Sequence, residues 1–309
     1  MSSTGKFKKI AIVGLGLIGG SLAMALKVNG YYIVGITRKA ETLAVAKNEK
    51  AIDIGFQELN SESVKDVDLI ILAPPLATIP EYLEKIGKVV KHNILVTDVG
   101  STKLEICNFA KTVLPANITF IGGHPMAGTE NAGFLSAQIS LFKKCAWILT
   151  PLNDSSKQKE AIEKLIALFK EIGSKPIVTD PEKHDKAVAL VSHFPLLASI
   201  GLCQLVRNLR DLELQGIASL IASSGFRDIT RIGGGNPEMN SDLITTNHAQ
   251  VLALVSMYQK ELEGALKLAT DNPEKFLEEL HHIHNWRSKL YNKEGKNNLL
   301  NREEVATIV

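Results

Sequence analysis

As far as Asp180, short apolar runs alternate with longer stretches whose apolar positions recur at helical spacing. Lys9–Val13, Tyr32–Ile36, Asp68–Ala73, Asn93–Asp98, Ile118–Ile121, Cys145–Leu149 and Pro176–Thr179 read as strands. Helices are predicted up to Leu26, over Glu41–Lys50 and Ile79–Val90, from about Lys103, and over Ser156–Ile172. Several of these strands are apolar almost throughout instead of alternating with polar residues, as in a parallel sheet covered by helices on both faces. The expectation for residues 1–180 is a doubly wound, Rossmann-type α/β domain with a parallel sheet.

The pattern changes after Asp180-Pro181, and no period-two run follows. Pro237 to Leu268 keeps apolar residues at helical spacing, including Leu243, Ile244, Val251, Leu252, Val255, Leu262 and Leu266, and reads as one long helix. A glycine-rich interruption, Ser223–Asp228 continuing to Arg231–Pro237, breaks the helical series. Residues 181–309 are therefore expected to form an all-α domain, and its long apolar-faced helices predict a homodimer, either helix-swapped or side by side. The polar tail after Asn292 is expected to fray.

Composition narrows the class. Of 309 residues, 45% are hydrophobic and 22% charged, which excludes disordered and low-complexity architectures. With 35 Lys+Arg against 33 Asp+Glu, the formal charge of +2 argues for neither a nucleic-acid partner nor a membrane partner. Cys107, Cys145 and Cys203 form no close pair, so a reducing, cytoplasmic setting is expected. Lys6, Lys8 and Lys9 before the apolar run Ile10–Leu26 imitate a secretory signal. Gly14, Gly16, Gly19 and Gly20 inside that run would each weaken an apolar helix by roughly 1 kcal/mol, so it reads as strand, turn and helix start.

That turn carries candidate chemistry. Gly14-Leu-Gly16-Leu17-Ile18-Gly19 is a G-x-G-x-x-G between a strand and a helix, the arrangement that places a dinucleotide pyrophosphate on a helix N-terminus. NAD-binding versions carry an acid at the end of the second strand for the ribose 2′-hydroxyl. Here Thr37, Arg38 and Lys39 stand at that place, a hydroxyl and two cations suited to a 2′-phosphate. NADP is therefore expected over NAD, with the alternative that Arg38 and Lys39 only solvate a helix start.

Ligands in such sheets lie outside the carboxyl ends of the strands. The third strand ends in Ala73-Pro74-Pro75, a rigid wall for a nicotinamide, and the fourth in Asp98-Val-Gly-Ser101-Thr102-Lys103. The fifth leads into Gly122-Gly-His124-Pro-Met-Ala-Gly128-Thr129-Glu130, where His124 is expected outside regular structure, fixed by prolines and glycines. An imidazole there suits removal of a hydroxyl proton during hydride transfer.

Gly14–Ser21, Asp98–Lys103, Gly123–Gly128, Ser192-His-Phe-Pro195, Ser223–Asp228 and Gly233–Pro237 occur in the order found in the prephenate/arogenate dehydrogenase family, which the chain resembles over nearly its whole length. The resemblance implies oxidative decarboxylation of a cyclohexadienyl ring bearing a 4-hydroxyl and a ring carboxylate. His124 would accept the hydroxyl proton while hydride passes to the nicotinamide. It further implies Ser101 beside the reacting hydroxyl, and Arg227 clamping a substrate carboxylate. Thr129 and His193 join these as candidate substrate contacts, although His193 reads equally as a support of the domain junction. Prephenate-preferring members often carry a second histidine where this chain has Leu196. Together with the missing acid, this resembles the NADP-dependent branch that converts L-arogenate to L-tyrosine. Prephenate dehydrogenase is the alternative within the family.

His184-Asp185 reads as a structural pair, and Lys103 as a phosphate contact, a substrate contact or a helix cap. His281, His282 and His284 read as a solvated helix face, with no metal site expected. Trp147 reads as core and Trp286 as surface or interface. Outside the family stand another NADP-dependent dehydrogenase of the 3-hydroxyacid or imine-reducing type, a non-catalytic NADP sensor and a pure dimerisation scaffold.

Overall fold

The computed structural model describes residues 6–129 and 131–291. Eight strands form one sheet: β1 (Lys9–Val13), β2 (Tyr32–Ile36), β3 (Ile54–Phe56), β4 (Leu69–Leu72), β5 (Ile94–Asp98), β6 (Ile118–Pro125), β7 (Ala146–Pro151) and β8 (Lys175–Val178). Their order is β3-β2-β1-β4-β5-β6-β7-β8. The switch point falls between β1 and β4, where connections begin to run to the other side.

The unbroken apolarity of the central strands has a direct cause. Alternate residues point to opposite faces, and both faces are covered. Ile10, Ile12, Leu69 and Ile71 pack with Leu22 and Leu26 of α1 (Leu17–Val28) on one side. Ala11, Val13, Ile70 and Leu72 pack on the other, with Leu83 and Ile86 of α3 (Ile79–Val89) and Ile106 of α4 (Leu104–Val113). Between these, α2 (Ala40–Asn48) follows β2, and α5 (Ser156–Glu171) adds Leu165 and Phe169 to the first face. Trp147 stacks on Phe169 with ring centroids 3.7 Å apart and is fully buried, a core position as expected.

Three features of the sheet differ from the sequence reading. The sheet is mostly parallel, because β7 runs antiparallel to β6. Strand β3 leaves no mark in the apolar pattern, because it is three residues long and partly exposed. Strand β6 continues through Pro125, which puts His124 inside regular structure, opposite Ile148 of β7. The antiparallel neighbour supplies a ladder partner for this backbone.

The chain divides into two compact units. The first runs through Asp185 and includes Gly235–Thr246; the second takes Lys186–Gly234 and the chain from Asn247 onward. The remaining helices are α6 (Pro181–Val188), α7 (Phe194–Arg207), α8 (Leu212–Ile221), α9 (Ser224–Thr230), α10 (Pro237–Thr246), α11 (His248–Asp271) and α12 (Pro273–Leu290). A π-helical turn, Ala189–His193, precedes α7. The single helix expected over Pro237–Leu268 is two helices, broken at Asn247 (φ −122°, ψ 25°). Within the stretch read as a glycine-rich break, Ser224 onward forms α9 instead. The tail after Asn292 lies outside the described residues.

Candidate active site

The phosphate cradle follows from three glycines with different jobs. Gly14 has φ +89°, and a Cβ there would sit 2.5 Å from the Ala73 carbonyl oxygen. A Cβ on Gly19 would stand 1.8 Å from the Gly14 carbonyl oxygen, so helix and turn close only without one. Around Gly16 a Cβ would meet nothing within 4 Å, which leaves that side of the backbone open to a ligand. No side chain caps α1, and the amides of its first turn, at Leu17, Ile18 and Gly19, have no partner within the helix. The residues therefore fit a dinucleotide pyrophosphate.

A cleft of about 620 Å³ opens from this turn. Of the residues expected there, Gly14, Gly16, Thr37, Arg38, Lys39, Ala73, Pro74 and Pro75 line it. Leu17, Ile18 and Gly19 do not, and offer backbone only. Lys85 adds a third cation, which the sequence reading missed; Glu58 and Glu81 also line the cleft, but neither follows β2. Glu41 lies on α2.

At the carboxyl ends of β5 and β6 a buried network replaces the sheet ladder. Asp98 accepts the amides of Gly123 (2.9 Å) and Gly100 (2.8 Å) and the ammonium of Lys103. Lys103 is fully buried and also donates to the Gly123 carbonyl oxygen at 2.8 Å. Lys103 thus stands at the N-cap of α4, one of the roles expected from sequence, but its side chain makes no capping bond and braces two strand ends instead. A Cβ on Gly123 would lie 2.3 Å from the Asp98 carbonyl oxygen, so glycine is needed for this closure. Beyond it, Ser101 is half-buried, and Thr102 donates to Thr246 of α10 at 3.2 Å.

His124 leaves this network half-buried, with Nδ1 2.9 Å from Nε2 of His184. The two rings meet edge-on at 76°, with centroids 5.1 Å apart. His184 Nδ1 lies 2.7 Å from Asp185 Oδ1. Asp185 in turn accepts the first amides of α4, Lys103 at 2.8 Å and Leu104 at 2.9 Å. The pair read as merely structural therefore touches the candidate base. Spacing in sequence gave no sign of this, because 60 residues separate the two histidines. Nearby, burial pushes the Cys107 thiol up to about 11, with the Lys103 ammonium opposing the shift.

Thr129 is exposed, its hydroxyl accepting the Asn131 amide at 3.3 Å; Glu130 lies outside the described residues. In the second unit, Arg227 is exposed and donates to Asp228 at 3.0 Å, a surface pairing of small energetic weight. His193 is buried, with Nδ1 3.1 Å from Asn247 Nδ2, and Leu196 is buried on α7. His281, His282, His284 and Trp286 are exposed on α12. The first unit thus combines a dinucleotide cradle with a histidine whose ring is held by a buried carboxylate through a second ring. That set can bind a nicotinamide cofactor and move a hydroxyl proton.

Two family models match the chain: "Prephenate dehydrogenase, nucleotide-binding domain" over residues 22–178, and "Prephenate dehydrogenase, dimerization domain" over 180–284. The glycine turn precedes the first match and rests on its own geometry. Prephenate dehydrogenase of Bacillus subtilis (strain 168) is 35% identical over 257 residues, covering 82% of this chain and 68% of the relative. The crystal structure of Synechocystis arogenate dehydrogenase superposes with a TM-score of 0.77 at 33% identity, covering 91% of this chain and 97% of that one. Prephenate dehydrogenase from A. aeolicus, in complex with hydroxyphenyl propionate and NAD+, superposes with a TM-score of 0.82 at 27% identity, covering 91% and 97%.

Proposed function

The chain belongs to the prephenate/arogenate dehydrogenase family, and on that premise we propose that its substrate is L-arogenate and its cofactor NADP. It is an NAD(P)-dependent dehydrogenase of tyrosine biosynthesis. The finer choice is carried by one observation: Thr37, Arg38 and Lys39 line the cleft where β2 ends, and no acid stands at that position. A 2′-phosphate would find a planar guanidinium and an ammonium there, whereas a bare ribose would find no carboxylate. The buried Leu196 and the 33% identity to Synechocystis arogenate dehydrogenase favour arogenate. The 35% identity to a prephenate dehydrogenase, and NAD+ in the A. aeolicus complex, favour the alternative of prephenate with NAD.

In this reading a bound nicotinamide supplies the hydride acceptor. The first-turn amides of α1 and the backbone at Gly16 hold the pyrophosphate, and Ala73, Pro74 and Pro75 wall the cleft. His124 accepts the ring hydroxyl proton at Nε2, and Ser101 orients that hydroxyl. Arg227 takes a substrate carboxylate, with Thr129 and His193 as further contacts. Loss of carbon dioxide leaves an aromatic ring, so the overall reaction runs one way.

The active form is proposed to be a homodimer through the helical unit. Leu205, Leu212, Leu220, Leu252, Leu266 and Trp286 are exposed in a single copy, and a second copy would cover such side chains. The segment Pro181–Arg207 has the length and apolarity of a bilayer-crossing helix, yet it lies within the stretch matched by the dimerization domain.

Calorimetric titration with each cofactor tests the central choice. NADP+ should bind about tenfold or more tighter than NAD+, a difference of roughly 1.4 kcal/mol, and Arg38→Asp should reverse the order. Equal affinities that Arg38→Asp leaves unchanged would contradict it.

A further inference from the structure

We infer that His184 and Asp185 are positioning residues that fix the tautomer of His124. The inference rests on the reading of His124 as the proton acceptor. It starts from the donor and acceptor capacity of each ring. A neutral imidazole donates from one nitrogen and accepts at the other, and the choice at one ring dictates the choice at its neighbour.

Asp185 sets the direction. Its carboxylate is buried and already accepts two backbone amides, Lys103 on Oδ1 and Leu104 on Oδ2. Those amides belong to the N-cap and first residue of α4, and both point their hydrogens at the carboxylate. An ionised carboxylate can only accept, so His184 Nδ1, 2.7 Å from Oδ1, carries a hydrogen. His184 Nε2 then holds the lone pair. His124 Nδ1, 2.9 Å away, must donate to it, and His124 Nε2 becomes the basic nitrogen.

The same chain acts during proton transfer. When His124 gains a proton at Nε2, its Nδ1 hydrogen still donates to His184, and His184 still donates to Asp185. The new positive charge is met by a carboxylate through one intervening ring. No proton has to move to Asp185, and no ring has to turn. Close by, the Cys107 thiol on α4 feels the charges of Lys103 at the N-cap of α4, Asp98 at the end of β5 and Asp185 on α6. The Lys103 ammonium is taken up by Asp98 and the Gly123 carbonyl, and Asp185 lies within hydrogen-bond reach of His184.

The relay also accounts for the burial of His184 (3% exposed) and Asp185 (2%) in the first turns of α6. A pair of that kind placed only to cap α4 would not need the histidine: the two amides are satisfied by Asp185 alone.

The test compares His184→Leu, His184→Gln and His124→Asn in the full-length enzyme. His184→Leu removes the acceptor for His124 Nδ1. It should lower kcat by roughly tenfold or more, up to the ~10²–10⁴-fold that general-base catalysis contributes, and leave KM and cofactor affinity near wild type. His184→Gln can place an amide oxygen where Nε2 stands, and should recover most of that loss. In a His124→Asn background, His184→Leu should cost nothing further. Nitrogen chemical shifts of the wild-type imidazoles should report hydrogen on Nδ1 of both rings, a readout independent of whether any variant folds. If His124→Asn keeps wild-type kcat, the reading of His124 as base fails. If His124→Asn loses activity while His184→Leu keeps kcat, or if His124 carries its hydrogen on Nε2, the relay fails and the base stands.

Discussion

The ammonium of Lys103 and the carboxylate of Asp98 meet with neither side chain exposed to solvent. Asp98 ends β5, Lys103 begins the turn into α4, and through Gly123 the pair also holds the end of β6 that presents His124. Two charges removed from water are tolerated here because each is also bonded to backbone.

Removing one partner leaves the other charge buried and alone. Lys103→Met should therefore destabilise the fold by about 3–5 kcal/mol, and lower Tm by roughly 10 °C. Thermal unfolding followed by circular dichroism measures this. A variant as stable as wild type would show that the pair contributes nothing to the brace.

The dimer is tested by sedimentation. At micromolar concentration the chain should sediment at twice its monomer mass. Leu220 and Leu266 are 86% and 73% exposed in one copy, and replacing either with Glu should shift the protein toward monomer. Sedimentation of the wild-type chain as a monomer would contradict the assignment.

Cys107 gives a prediction with a pH sign. Burial raises the folded thiol to about 11 from an ordinary value of 9.0, so the folded protein holds this proton more tightly than the unfolded chain. The resulting contribution to stability is complete below the unfolded value and is lost as pH rises toward 11. Near neutral pH the thiol is both buried and protonated, and iodoacetamide should leave it unmodified in the native enzyme. Peptide mass spectrometry showing Cys107 alkylated as fast as in denatured protein would contradict this.

What the sequence made legible follows from what local pattern encodes. Lys9–Val13, Tyr32–Ile36 and Ile79–Val89 are legible because burial on two faces, or on one helical stripe, writes itself into consecutive residues. The direction of β7 is not, because a central strand packed on both faces has the same composition whichever way it runs. The break at Asn247 is hidden by apolar spacing that continues through it; there the Asn247 side chain meets buried His193, 54 residues earlier. Gly14, Gly16 and the Thr37-Arg38-Lys39 run sit where their order in the chain places them, lining one cleft. The His124–His184 contact and the burial of Lys103 are tertiary facts, and no spacing rule contains them.

The proposed reaction is oxidation of L-arogenate with NADP+. The most direct measurement is the rate of reduced-nicotinamide formation by the purified enzyme, with L-arogenate or prephenate paired in turn with NADP+ or NAD+. L-arogenate with NADP+ should give a kcat/KM about tenfold or more above any other pairing, equivalent to roughly 1.4 kcal/mol of transition-state discrimination. Prephenate with NAD+ as the preferred pair would contradict the account, and would show that neither Thr37-Arg38-Lys39 nor Leu196 reports specificity.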